Sequence, residues 1–289
     1  MTLAETPKVA MITGGASGIG LAVATALVRR GDWHVHLLDV NGISGLKAAK
    51  DLAGAATFHE VDVTAYSEIA RMFDNIFRAE GRLDFVFANA GILERLDFYE
   101  QHPAGNPPPE VNMRVVDINL KAVYTTSYLV LHYFRQCPSS DRSLVLTASC
   151  GVAQSVSLTF QRTTIADRDL DGVVGFMRSI ASTYVDSGIR VNAICPGTVE
   201  TSLLADAEWR AFPQNYFTPI SVIVDTVLKL IDGGTVTDAK GDVVEGGRVF
   251  GKAVEIILNN FYLRDQHEYC DEAMAASMGA DTLEESKPA

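Results

Sequence analysis

The sequence predicts an α/β fold: a single doubly wound domain, with a parallel sheet of about seven strands and helices on both faces. Three observations carry this. Short apolar runs rich in β-branched residues recur along the chain, and they are nearly continuous, as strands covered on both faces require. Stretches of helical length separate them, so successive strands are joined by crossovers and lie parallel. A glycine-rich segment sits between the first run and the first helical stretch.

"KVAMIT" (8–13) opens the sheet, and a helix follows near 18–30. "HVHLLD" (34–39) and "ATFHEV" (56–61) read as the next two strands, with helices near 44–53 and 65–79 after them. "LDFVFA" (83–88) is followed by the Pro/Gly loop "HPAGNPPPE" (102–110) and a long helix at 112–135. "SLVLTA" (143–148) and "RVNAI" (190–194) flank a helix at 164–186, and another helix is expected at 219–232. A last strand is expected at 244–250. One domain is expected over 1–255, with a substrate lobe at 202–232 and a C-terminal extension at 256–289. The final "MGADTLEESKPA" (278–289) is polar and acidic, the composition of a disordered tail.

The chain has 289 residues, 47% of them hydrophobic, enough for one sizeable core. A net charge of −12 argues against nucleic acid or an anionic membrane as partner, since both demand a basic face. The N-terminal "MTLAETPKVAMITGG" has no basic segment leading into an apolar one, and no apolar run reaches the length of a membrane span. A cytoplasmic protein is expected. Cys137, Cys150, Cys195 and Cys270 have no CxxC or CxxH spacing, which reads as reduced thiols. The six histidines form no HExxH or paired-ligand pattern, so no metal site is expected.

"VAMITGGASGIGLAVATAL" places Thr13, Gly14, Ser17, Gly18, Ile19 and Gly20 between the first strand and the first helix. Glycines allow a tight turn and a close backbone approach to a pyrophosphate, which the helix N-terminus then attracts. Asp39 ends the second strand, 19 residues past Gly20. A carboxylate there accepts both ribose hydroxyls of NAD and repels the 2′-phosphate of NADP, so NAD(H) is expected over NADP(H).

"TGGASGIG" (13–20), "VDV" (61–63), "FANAGI" (87–92), "INLKAVY" (118–124), "LTASCG" (146–151), "GVVGFMRSIA" (172–181) and "RVNAICPGTVET" (190–201) together resemble the short-chain dehydrogenase/reductase family over roughly residues 6–255. The resemblance implies a Rossmann-type domain. It implies that Asp62 and Val63 lie beside the adenine and that Asn89, Ala90 and Gly91 line the cofactor cleft. Pro196, Gly197, Thr198, Val199 and Thr201 would run along the nicotinamide side. Asn119 matches the asparagine that orders the proton-relay water, and Ser149 matches the catalytic serine. The long helices at 112–135 and 164–186 match the faces through which the family forms homodimers and homotetramers.

The family's proton donor is a tyrosine, with a lysine four residues later on the same helical face. Aligning on "GVVGFMRS" puts those positions at Ala166 and Leu170. Counting the family's usual interval from Ser149 puts them at Arg162 and Ala166 instead. Neither register holds tyrosine or lysine. Thr163 and Asp167 share the helical stripe around Ala166, and Asp167 is the titratable candidate to replace the lost acid. It equally suits a solvated helix start, where acidic residues are favoured. Arg162 and Arg168 are alternatives for binding an oxyanion, Cys150 for a thiol acid or an inert buried thiol, and Arg135 for substrate contact or an ordinary helix C-terminus. The departure loosely resembles fungal alkaloid reductases and Diels–Alderases derived from the family, which also rely on an aspartate. "CPGTVET", by contrast, keeps the ordinary family form.

Three readings stay open at this point. One is an NAD(H)-dependent reductase or dehydrogenase with an atypical relay, suited to iminium or enone reduction. Another is a redox-neutral cyclase, isomerase or lyase in the same cleft. The third is a non-catalytic NAD-binding regulator. "SLLADAEWRAFPQNYFTPISV" (202–222) carries Trp209, Phe212, Tyr216 and Phe217, an aromatic lid suited to a bulky apolar small molecule.

Overall fold

The computed structural model describes residues 6–94, 100–138, 141–149, 164–210, 212–266 and 268–277, with the side chains of 164–171 and Gln214 outside that description. Helices and strands alternate: β1 (Lys8–Thr13), α1 (Gly18–Arg30), β2 (Trp33–Asp39), α2 (Gly42–Asp51), β3 (Ala56–Glu60), α3 (Tyr66–Glu80) and β4 (Phe85–Ala88). A short α4 (Arg114–Val116) runs through a π-turn at Asp117–Lys121 into α5 (Ala122–Phe134). Then come β5 (Arg142–Thr147), α6 (Thr164–Asp186), β6 (Ile189–Pro196), α7 (Asp206–Trp209) and α8 (Ile220–Asp232). A small hairpin of β7 (Val236–Thr237) and β8 (Val243–Val244) precedes β9 (Ala253–Ile257), β10 (Asn260–Arg264) and α9 (Glu272–Ser277).

The main sheet has eight strands in the order β10-β9-β6-β5-β4-β1-β2-β3, every pair parallel except β9–β10. The doubly wound expectation holds, with one strand more than expected. Each face of the sheet carries its own core. Phe73, Ile76, Phe134, Met177 and Tyr184 pack on one side. Leu27, Phe85, Phe87, Val227 and Ile231 pack on the other. Each such large side chain, fully buried, stabilises by roughly 1.5–3 kcal/mol.

The end of the sheet needs correction. Residues 244–250 do not form the last sheet strand; β8 covers Val243–Val244 and pairs only with β7. Gly247 and Gly251 both take positive φ and break the extended run, and Val249 and Phe250 are buried in the bend between them. The strand that joins β6 is β9, so the division drawn at residue 256 falls inside a strand. The extension returns as β10 and covers the β9 edge. Leu258, with φ of 54°, turns the hairpin.

Three of the six histidines, scattered along the sequence, converge on one face of β2 and β3: His34, His36 and His59. Burial, reinforced by the neighbouring imidazoles, pushes His36 down to about 3 and also lowers His59. Among the described residues no helix is long and apolar enough to cross a membrane.

Candidate functional site

The strand order reverses between β1 and β4, and in such sheets the crevice outside the C-terminal ends of those strands receives ligand. Thr13 ends β1, and its Oγ1 accepts from the backbone N–H groups of Asn89 (2.9 Å) and Ala90 (3.1 Å), just past β4. Asn89 returns the tie. Its Nδ2 donates to the carbonyls of Thr13 (3.2 Å) and Gly14 (3.4 Å), while its Oδ1 accepts from Thr147 Oγ1 (3.2 Å) at the end of β5. One amide thus fixes three strand ends at the floor of the crevice.

Two glycines in the turn are obligatory for different reasons. Gly14 has φ of +65°, and a Cβ there would fall 2.9 Å from Ala90 Cα. A Cβ on Gly20 would fall 2.3 Å from the Gly14 carbonyl oxygen, so the turn could not close. Ser17 precedes α1 without capping it through its side chain, and no acidic residue occupies the first turn. The N–H groups of Gly18, Ile19 and Gly20 and the positive end of the helix dipole therefore lack both a side-chain cap and a first-turn acid. Asp39 at the end of β2 is pinned beside this turn: Oδ2 accepts from Ala16 N (3.1 Å) and Oδ1 from Asn41 N (3.0 Å). Each oxygen keeps a second lone pair for a hydroxyl. A cradle that a Cβ would fill, an uncapped helix start and a carboxylate beside them fit a dinucleotide.

Asp62 closes the far edge. Its Oδ1 accepts from the Thr64 N–H (2.9 Å) and hydroxyl (2.7 Å), and these bonds hold its carboxyl below the usual carboxylate range. Val63, Ile118 and Ala122 form a small buried cluster with Ala90 packed on it. Gly91 approaches Asn119: a Cβ there would lie 3.4 Å from Oδ1.

Asn119 sits in the π-turn and is 6% exposed. Its Oδ1 accepts from Ile92 N and its Nδ2 donates to Ile92 O, both at 2.9 Å. The side chain is committed to holding the segment after β4 and acts by positioning it. Gly172 of α6 lies against Leu120 of the same π-turn: a Cβ there would fall 3.1 Å from Leu120 Cδ1. Ser149 lies two residues beyond β5 and is half-buried.

Beyond β6, Gly197 N donates to Ile256 O (2.8 Å) and Thr218 N to Thr198 O (2.7 Å). Pro196 ends the strand, and Val199 is buried. Thr201 passes within 3.5 Å of where a Gly18 Cβ would stand, and Ser202 Oγ donates to Ser17 Oγ (3.0 Å). The loop after β6 therefore crosses the glycine turn. Thr218, buried and absent from the sequence-based site, braces this region: its Oγ1 accepts from Leu258 N (3.0 Å), fixing the residue with positive φ. Thr147 was also missed. Both lie beside recognised motifs, but a lone threonine has no signal until its partners across the sheet are known.

The aromatic lobe is divided. Trp209 is 8% exposed, its Nε1 donates to Thr201 O (2.8 Å), and its ring packs on Phe212 and Phe217 at 5.2 and 5.8 Å. It anchors the lobe. Phe217 is half-buried, and Tyr216 is 56% exposed. Ala166, Asp167, Arg168 and Leu170 fall on the first two turns of α6, with side chains outside the described residues. Cys150, Arg162 and Thr163 also lie outside the described residues.

The family model for the short chain dehydrogenases matches residues 8–211. The chain is 44% identical over 278 residues to the short-chain dehydrogenase/reductase prx7 of Penicillium rubens, covering 92% of this chain and 97% of that one. It is 30% identical over 253 residues to human 15-hydroxyprostaglandin dehydrogenase, whose name specifies NAD(+), covering 83% and 88%. Among solved structures, levodione reductase superposes with a TM-score of 0.69 at 25% identity, covering 86% of this chain and 95% of that one. A 3-ketoacyl-(acyl-carrier-protein) reductase from Brucella melitensis, complexed with NADH, shares the fold at 20% identity and a TM-score of 0.69, covering 86% and 96%. With the glycine cradle, the Asn89 tie and the family match over most of its length, this chain belongs to the short-chain dehydrogenase/reductase family of nicotinamide-dependent oxidoreductases.

Proposed function

We propose that this chain is an NAD(H)-preferring oxidoreductase that works without the tyrosine–lysine relay and acts on a bulky, apolar small molecule. The observation that carries the reading is a mismatch. The cofactor cradle is complete, while alignment on "GVVGFMRS" puts Ala166 and Leu170 where the relay belongs. The bound nicotinamide supplies the hydride chemistry. Everything else falls to the chain. Asp39 takes the ribose hydroxyls and repels a 2′-phosphate. The names of the human relative, with NAD(+), and of the Brucella structure, with NADH, agree with that preference. Ser149 offers a hydroxyl to a substrate oxygen, Asp167 holds and gives the proton, and Asn119 keeps the floor in place through Ile92. An acceptor already activated, such as an iminium or an enone, suits this arrangement because it needs less proton donation.

Tyr216 and Phe217 are the substrate-facing aromatics in this reading, and Trp209 anchors them. Assembly as a homodimer or homotetramer through α5 and α6 is supported by Tyr124 and Tyr128, which stand 42% and 69% exposed on α5. The test is a screen of iminium, enone and alcohol substrates with and without NADH or NAD(+), following nicotinamide absorbance and product together. Turnover coupled to the nicotinamide supports the proposal. Product formed with no change in absorbance makes the protein a redox-neutral cyclase or isomerase, and binding without any product makes it a regulator.

A further inference from the structure

We propose that His34, His36 and Glu80 form a binding site for one divalent transition-metal ion, zinc by its ligand chemistry, with His59 orienting the central histidine. The inference is independent of the proposed function. The period of two along a strand puts His34 and His36 on the same face of β2. The register of β2 against β3 sets His36 beside Thr57 and Leu38 beside His59, so all three imidazoles share that face. Glu80, the last residue of α3, reaches the same point from the helix packed above.

The distances fit a metal better than scattered histidines would. His36 Nε2 stands 3.2 Å from Glu80 Oε1, and His34 Nε2 stands 4.0 Å from the same oxygen. One ligand atom from each of the three residues lies within 4.8 Å of the others. Zinc–nitrogen bonds of about 2.0–2.1 Å in a tetrahedron put ligand atoms about 3.3 Å apart, so shifts on the order of 1 Å complete the set. Two imidazoles and a carboxylate suit zinc and its neighbours in the first transition row; calcium and magnesium take oxygen ligands.

Two further observations point the same way. His36 Nδ1 is 2.9 Å from His59 Nε2. With Nδ1 protonated and donating to His59, Nε2 carries a lone pair toward Glu80, the outer-sphere arrangement that fixes a ligating histidine. Glu80 also closes α3, where the negative end of the helix dipole disfavours a carboxylate. A cation held there offsets that cost. His34 Nε2 also has Thr57 Oγ1 at 3.0 Å, a hydroxyl beside the site. The His34 and Glu80 side chains keep 23% and 28% exposure, which leaves an entry path and a position for water. β3 is the edge of the sheet, and an ion here would tie β2 and the end of α3 together beside it. Asp39 lies three residues further along β2, about 10 Å away, and is no part of the cluster. The expected role is structural.

The test uses the full chain, untagged and stripped with a chelator, titrated with Co2+ and then with Zn2+. One ion per chain is expected, with the visible absorption of four-coordinate cobalt, displaced by zinc, and with a higher melting temperature in zinc. His34→Asn and Glu80→Gln, at partly exposed positions, should each weaken zinc binding at least about tenfold, and His59→Gln should cost about 10–100-fold through lost orientation. His132→Gln, at an exposed position of α5, should change nothing. NADH affinity should be unaffected throughout. Circular dichroism establishes that each variant is folded, so loss of metal does not depend on the buried His36. Absence of saturable micromolar binding overturns the proposal, as does binding that survives both His34→Asn and Glu80→Gln.

Discussion

The glycine turn after β1 and the first turns of α6 are the two regions on which a member of this family depends, and they diverge here. In the turn, three side chains tie the floor of the crevice together. Thr13 binds two backbone N–H groups, Asn89 joins three strand ends, and Asp39 bonds the turn it faces. In the proposed reading the positions that should carry a phenol and an ammonium fall on Ala166 and Leu170, or on Arg162 and Ala166 in the other register. On that reading, cofactor recognition and proton transfer are separable in this architecture. Recognition is built from backbone and tightly packed glycines, where almost any change breaks the turn. Proton transfer rests on two side chains that leave the fold intact when they are replaced.

The comparison can be broken most sharply at Gly14. Gly14→Val places a branched side chain at φ +65° against Ala90 and should abolish NADH binding, a loss of at least about a hundredfold by titration calorimetry. On the other side, Asp167→Asn should lower turnover by at least about a hundredfold while leaving NADH affinity unchanged, the scale of a lost general acid. Asp169→Asn is its control. Full activity in both variants moves the acid–base role to Ser149 or Cys150.

Smaller effects sharpen the boundary between the two regions. Asn119→Ala removes two hydrogen bonds to Ile92, each worth a net of roughly 0.5–1.5 kcal/mol. A lower melting temperature together with reduced turnover is expected, because the floor of the crevice loosens. Asp39→Ala should narrow the preference for NADH over NADPH by about tenfold, the scale of one lost charge-assisted contact near 1.4 kcal/mol. Tighter NADPH binding by the unaltered protein contradicts the role given to Asp39.

The smallest effect concerns pH. Thr64 holds the Asp62 carboxyl below its ordinary value, so the unfolded chain binds the proton more readily than the folded one. The stability this contributes is present above the ordinary carboxylate range and is lost as pH falls through the depressed value. Thr64→Val removes the hydroxyl bond, should raise the Asp62 value in an NMR titration, and should flatten the acid limb of the melting curve.

Much of the fold was legible because the sheet is buried on both faces, so its strands read as apolar runs; β1, α1 and α6 match their expected bounds. The last strand, expected at 244–250, misled because it ends in the apolar pair Val249–Phe250, while Gly247 and Gly251 bend it away from the sheet. The cofactor motifs were legible because glycine and a strand-end carboxylate have few other reasons to occur at those positions. Thr218 and Thr147 were not, because their role comes from partners 40 and 58 residues distant. Trp209 was read as part of a lid; its indole N–H had an unforeseen acceptor in Thr201 O. The convergence of the histidines was not legible, because it needs the period of two that aligns His34 and His36 on a strand and the register that brings His59 beside them.

The central claim is that the cofactor site is intact while the tyrosine–lysine relay is gone. The most direct measurement sets NADH affinity beside the rate of NAD(+)-dependent oxidation of simple secondary alcohols by the same preparation. The account predicts saturable micromolar NADH binding, with alcohol oxidation at least about a hundredfold below that of a relative bearing tyrosine and lysine. Vigorous alcohol oxidation would contradict it, because a proton donor of ordinary strength would then be at work in the cleft, and so would a failure to bind NADH.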